Sequence, residues 1–524
     1  MNYLAVTSII YIFANGKPQL DTFMKQFFKY VFASFVGTLL FSIIMGCFAF
    51  ITIIGMIAST QTTNEIKDNS VLVLNLSGQL TERSEDNNII SQLQGKIGTI
   101  GLDNLLSAID KAKNNKNIKG IYIEAGAFTA DSYASLQAVR NALVDFKKSG
   151  KWIITYADIY TQGTYYLSSS ANKVYLNPQG QIDWHGLSSQ PVFVKDLLKK
   201  FGVKMQVMKV GTYKSATEMF TGDKMSDANR EQTSAYLNSI WGNITKDVSA
   251  TRNISVSSLN AYADSMITFA APTDYLKYKL VDGLLYTDQI KAVVKKQLGL
   301  DKDDDINQVS IDDMQGVEDE ENDNSDNQIA VYYAYGDIVD GAAGGLFAQG
   351  HTIDAQVVCK DLEKLTNDKD VKAVVLRINS GGGSAYASEQ IWHQIMELKK
   401  QKPVVVSMGG MAASGAYYIS APSNWIVAEP TTLTGSIGIF GMFPDFSGLL
   451  TEKLGIKFDE VKTNKFSGFG TQSRPFSEEE MAYLNQYINR GYKLFRHRVA
   501  EGRKKTDDQI EKIAQGHVYS GQDA

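Results

Sequence analysis

Residues 404–418 read VVVSMGGMAASGAYY, and residues 152–166 read WIITYADIYTQGTYY. With Gly163 set against Gly415, both stretches pass from an apolar, strand-like run into a glycine and a tyrosine pair. The match extends outward. Toward the N-terminus, VLVLNLSGQL from Val71 matches IAVYYAYGDI from Ile329, and IKGIYIEA from Ile118 matches VKAVVLRIN from Val371. Toward the C-terminus, NPQGQIDWHG matches EPTTLTGSIG, FVKDLLKKFGVK matches LLTEKLGIK, and AYLNSIW from Ala235 matches AYLNQYI from Ala482. Short apolar strands alternate with helix-like stretches, a pattern that predicts an α/β domain on a largely parallel sheet. The repeat is domain-sized rather than a solenoid period, so the chain is predicted to carry this domain twice, over residues 70–300 and 328–524.

The segment between the copies, residues 301–327, is acidic and poor in large apolar groups. It cannot bury enough surface to offset its ordering entropy and is expected to be a mobile linker. The second copy stops at HVYSGQDA, whereas the matching FAAPTDY from Phe269 runs on into LKYKLVDGLLYTDQIKAVVKKQLG. A longer natural chain is therefore expected.

Residues 30–59 contain no charged side chain and exceed the roughly 20 apolar residues a spanning helix needs. A cleaved signal peptide has an apolar core of only about 7–15 residues, so a transmembrane anchor is predicted. Lys17, Lys25 and Lys29 precede it, and Glu65, Lys67 and Asp68 follow. Positive charge stays cytoplasmic, which places residues 1–29 inside and the large C-terminal part outside. The apolar run at residues 4–14 is too short to span, and MKQFFKY from Met24 looks like a natural start before an anchor. Met24 is therefore expected to be the true first residue.

The net charge is −5, so no basic surface calls for nucleic acid. The two cysteines, Cys47 and Cys359, and the five scattered histidines form no zinc-spaced cluster, and neither metal nor cofactor is expected.

The two copies differ where chemistry is possible. Ser414 lies between small residues in the second copy, and Gln162 takes its place in the first. Lys214 of the first copy falls opposite Ser467 of the second. A serine hydroxyl is a weak nucleophile that needs an adjacent base. A lysine can be that base only if it is desolvated, which can lower its pKa by about 3–5 units. This division of residues predicts a serine–lysine dyad assembled from both copies. Lys209 is a poorer candidate, because Lys462 matches it in the second copy and a shared lysine is more simply structural. The third element is LRINSGGGSAYASE, residues 376–389, which follows a strand and opens a helix. Its glycines allow close backbone approach, and their N–H groups can hold an oxyanion. The first copy has only Gly126 in the corresponding loop, which assigns the oxyanion site to the second copy.

Taken in order, KVGTYKSATEMFT, LRINSGGGSAYASE, SMGGMAASGAYYISA and LTGSIGIFG resemble the signal peptide peptidase (SppA, protease IV) family in its long, duplicated form. The resemblance covers nearly everything after residue 70 together with the anchor. It implies two tandem Clp protease/crotonase-like domains and a membrane-anchored serine endopeptidase on the extracytoplasmic side of the bacterial inner membrane. It also implies cleaved signal peptides and other apolar peptides as substrates, and a homotetramer around a cavity. By motif match Ser414 is the nucleophile, Lys214 the general base and Ser436 the residue that orients the lysine. The same match makes Gly382, Gly383 and the N–H of Gly415 the oxyanion donors. The family has proline where this chain has Gly381, which predicts a more flexible oxyanion loop. Two other activities fit the same fold: a non-catalytic membrane scaffold, and an acyl-CoA enzyme that uses the glycine loop without the dyad.

Overall fold

A computed structural model describes residues 17–59, 65–84, 98–317, 326–341 and 351–524. The first element is a 43-residue helix, Lys17–Ser59. Within it Lys25–Phe48, at mean hydropathy 2.2, is long and apolar enough to cross a membrane. The helix starts upstream of the predicted span at residue 30. Nothing between residues 17 and 29 breaks it, because Pro18 sits in the first turn, where its missing N–H is harmless. The expectation for the apolar run at residues 4–14 lies outside the described residues.

Residues 66–315 and 319–524 belong to one compact unit. In the first copy, neighbouring strands run in the order Thr99–Gly101, Ser70–Thr81, Ile118–Ala130, Trp152–Tyr160, Lys173–Ile182, Gly283–Leu284, all parallel. In the second, Gln328–Tyr335, Val371–Ser380, Val404–Ala413 and Leu433–Gly435 pair in parallel. Val518–Ser520 closes that edge antiparallel. Parallel sheets are covered on both faces, which explains the near-continuous apolar strands. Val71, Leu72, Leu74 and Leu76 are all at most 1% exposed. Helices Ala355–Asn367 and Ala385–Lys399 pack on the second sheet through Val358, Leu362, Ile391 and Ile395.

Many contacts join the copies, a shared strand pair among them. Strand Lys204–Val210 of the first pairs antiparallel with Ile439–Asp445 of the second, and helix Glu478–Arg503 packs over both. The buried carboxylate of Glu82 also pairs with the Arg377 guanidinium across the copies and accepts from Asn379 Nδ2 at 3.2 Å.

The expected linker is shorter than predicted. Asn307–Val309 pairs with the first strand of the first copy, and helix Ile311–Gln315 buries Met314 completely. Val309 and Met314 supply the apolar anchors that the acidic composition concealed. The most acidic part, residues 318–325, lies outside the described residues.

Candidate active site

Ser414 ends strand Val404–Ala413 and caps helix Gly415–Ser420. Its backbone sits at φ 55, ψ −121, a region that costs a non-glycine residue about 1–3 kcal/mol. The turn is held because the Ser414 N–H donates to Gly435 O at 2.9 Å and its carbonyl accepts from Tyr418 N at 2.9 Å. A sharp strand-to-helix turn of this kind thrusts a side chain off the sheet and leaves its hydroxyl accessible. Small neighbours make the turn possible: a Cβ on Gly415 would lie 2.6 Å from Ser388 Oγ.

Lys214 arrives from the loop after strand Lys204–Val210, which the cross-copy pairing carries to the second copy. Its side chain is 3% exposed. Nζ lies 2.9 Å from Ser414 Oγ, 2.9 Å from Ser436 Oγ and 3.2 Å from Ser436 O. A carbonyl can only accept, so one amine proton goes to Ser436 O. With a second directed to Ser436 Oγ, the lone pair of the neutral amine faces the Ser414 hydroxyl. Burial alone lowers the lysine pKa from 10.5 to about 8. Ser436 is itself held at φ 51, its N–H donating to His517 O at 2.7 Å. Lys209 has a different position: its Nζ approaches the carbonyl of Lys214 at 3.5 Å and does not reach Ser414.

The glycine loop corrects one expectation. The N–H of Gly382 donates to Ser380 Oγ at 3.0 Å, so Gly382 is not an available oxyanion donor. Its carbonyl is also occupied, accepting from Ile338 N at 3.0 Å. The N–H groups of Gly383 and Gly415 have no acceptor among the described residues. Glycine is required at 382 by close approach, since a Cβ there would sit 2.6 Å from Gly415 N at φ +99. Ser380 lies inside the quoted motif, but the motif does not reveal which N–H its hydroxyl takes.

The matching position in the first copy is closed. Gln162 is 6% exposed, and its Oε1 accepts from the N–H groups of His185 and Gly186 at 3.1 and 2.9 Å. Its Nε2 donates to Tyr133 Oη and Gly186 O. A saturated amide therefore fills the place that Ser414 occupies in the second copy.

Beside the glycine loop runs an open cleft of about 530 Å³ between the copies. Asn379, Met411 and Leu433 line it from the second copy, and Asp131, Tyr133 and Ile240 from the first. Asn379 is anchored by the first copy through Asp131 Oδ2 at 2.8 Å. Sequence spacing could not locate these supports, because Glu82 and Asp131 are far from every motif of the second copy.

The model of peptidase family S49 matches residues 145–301 and 396–524, and that of Clp protease matches residues 344–425. Protease 4 of Salmonella typhi is 36% identical over 524 residues, covering 96% of this chain and 83% of its own. Protease 4 of Haemophilus influenzae is 35% identical over 492 residues, 90% of this chain and 78% of its own. The chloroplastic serine protease SPPA of Arabidopsis thaliana is 30% identical over 464 residues, 88% of this chain and 66% of its own. With more than half of its residues matched by the family model and relatives alike over most of their length, this chain belongs to peptidase family S49.

Proposed function

We propose that this protease is a membrane-anchored serine endopeptidase that cuts cleaved signal peptides and other apolar peptides with a Ser414–Lys214 dyad. The observation that carries the reading is the 2.9 Å contact between a desolvated lysine of the first copy and the strained serine of the second. Neutral Lys214 takes the hydroxyl proton as Ser414 Oγ attacks the substrate carbonyl. The N–H groups of Gly383 and Gly415 hold the resulting oxyanion, an interaction of about 3–4 kcal/mol per donor in comparable sites. The lysine ammonium then protonates the leaving amine. Water, deprotonated by the same amine, releases the acyl group from Ser414. Ser436 orients Nζ through its hydroxyl and carbonyl. Apolar Met411, Leu433 and Ile240 in the adjoining cleft favour apolar peptides.

Helix Lys17–Ser59, with Lys25 and Lys29 ahead of the uncharged run that starts at Tyr30, supports a single-pass anchor. The positive-inside rule puts its N-terminus in the cytoplasm and the protease on the outer face of the bacterial inner membrane. We also assign a homotetramer, supported by a mismatch between the copies. Met208 in strand Lys204–Val210 is 1% exposed, while its counterpart Val461 is 99% exposed. Residues 457–463 and 187–193, the counterparts of the two paired strands, both lack strand structure. Each is the piece the other needs, supplied by the next chain.

The test is turnover of an apolar signal-peptide substrate by the full chain in detergent. The wild type should cut it and Ser414→Ala should not. Undiminished cleavage by Ser414→Ala would rule out the assignment, and an inert wild type with correct folding would favour the scaffold.

A further inference from the structure

We propose that residues 515–517 form a clamp that fixes Lys214 against Ser414, with Gly516 as its positioning residue. The inference rests on the dyad reading and adds to it a third division of labour between the copies.

The turn bonds to both loops that carry the lysine and its orienting serine. On one side Gln515 O accepts from Tyr213 N at 2.8 Å, and Gln515 Oε1 accepts from Thr212 N at 3.1 Å. On the other, Gly516 N donates to Ile437 O at 2.9 Å, and His517 O accepts from Ser436 N at 2.7 Å. The residues flanking Lys214 and those flanking Ser436 are thus fastened to one short turn. The His517 ring locks it from outside, 4.4 Å from the Tyr213 ring and stacked 4.2 Å from Tyr519. Gln232 ties the same parts together: its Nε2 donates to Tyr213 O at 3.0 Å, and its Oε1 accepts from Val518 N at 3.1 Å.

Gly516 sets the distance. It lies at φ +79, and a Cβ there would fall 2.6 Å from Lys214 N, 2.7 Å from its Cβ and 2.8 Å from its Cα. Backbone atoms cannot swing aside as a side-chain tip can, so any larger residue would push the lysine away from the serine. The first copy has no such need. When VYSGQDA is set against FAAPTDY, Gln515 (φ 55) falls on Met266 (φ 50), and Gly516 falls on the buried Ile267. The left-handed turn is common to both copies, but the glycine occurs only where the lysine passes.

The experiment compares Gly516→Ala, Gln515→Ala, Lys214→Ala and Gly299→Ala in the full chain, using turnover of an apolar signal-peptide substrate across pH. Gly299 lies at φ +71 with nothing within 4 Å, so Gly299→Ala carries the backbone strain without the contact. A misplacement of about 1 Å can reduce rate about 100-fold. Gly516→Ala should lose about 100-fold in kcat with KM unchanged, and its acid limb should move to higher pH as the amine hydrates. Gly299→Ala should keep wild-type values. Wild-type kcat and pH profile in Gly516→Ala would overturn the clamp. If Gly516→Ala does not fold, Gln515→Ala decides: a lower kcat with a displaced acid limb supports the clamp, and wild-type values overturn it. An active Lys214→Ala would sink the dyad and the clamp together, whereas an inert Lys214→Ala beside a normal Gly516→Ala would sink the clamp alone.

Discussion

Lys214→Met should cut peptidase turnover by roughly 10²–10⁴-fold and raise the melting temperature at pH 7. The lysine is 3% exposed, and every polar neighbour of its Nζ is neutral. Lowering its pKa from 10.5 to about 8 corresponds to a penalty on the folded state of about 3 kcal/mol. The sign follows from proton counts. Between pH 8 and 10.5 the unfolded chain holds a proton that the folded chain has released, so stability rises with pH across that window. The penalty is full below about pH 8 and gone above about 10.5. Methionine removes the penalty and loses three hydrogen bonds of about 0.5–1 kcal/mol each, for a net gain of up to about 2 kcal/mol at neutral pH. Activity should fall by the 10²–10⁴-fold, roughly, that a positioned base contributes. Thermal unfolding of both chains at pH 7 and pH 10.5 checks this. The advantage of the methionine should be present at the lower pH and vanish at the higher. A lower melting temperature for Lys214→Met at pH 7 would mean that the buried amine is no burden.

Val461→Lys should dissociate the assembly to single chains. Val461 corresponds to the buried Met208, and its segment carries further exposed apolar groups in Ile456 and Phe458. If a neighbour's residues 187–193 pair with it as Ile439–Asp445 pairs with Lys204–Val210, the side chain at 461 becomes as buried as Met208. An unpaired ammonium there costs several kcal/mol per interface. In the proposed tetramer four equivalent interfaces would close the ring, so the effect multiplies. Light scattering with detergent correction should give the mass of four chains for the wild type and 57.8 kDa for the variant. Lys209→Ala, on the edge already paired within the chain, should leave the mass unchanged. An unchanged mass for Val461→Lys would place the interface elsewhere.

The duplication and the parallel α/β architecture could be read from sequence because each rests on a local pattern compared with its own copy, and the same comparison singled out Ser414 and Lys214, which lie 2.9 Å apart. Ser414 against Gln162 and Lys214 against Ser467 are differences at aligned positions, and they need no coordinates. Three kinds of feature were hidden. Contacts that cross the chain, such as Glu82 with Arg377 and Asp131 with Asn379, leave no trace in spacing. Donor availability is a matter of partners, so Gly382 looked equivalent to Gly383 until Ser380 Oγ was seen to take its N–H. Composition misled for residues 307–315, where two buried apolar side chains outweigh the surrounding acids. The turn at residues 515–517 carries no motif, and its role depends on the Lys214 backbone that it touches.

The most direct test is the rate at which a fluorophosphonate labels the full chain as a function of pH, with the modified residue located by mass spectrometry, for wild type and Lys214→Ala. A lysine with pKa about 8 is about one-tenth neutral at pH 7, so labelling should rise about tenfold per pH unit below that point and level off above pH 8. The account predicts label on Ser414 alone, a half-maximal rate near pH 8 in the wild type, and negligible labelling of Lys214→Ala. Label on another serine, or an unchanged profile in Lys214→Ala, would contradict a dyad built from both copies.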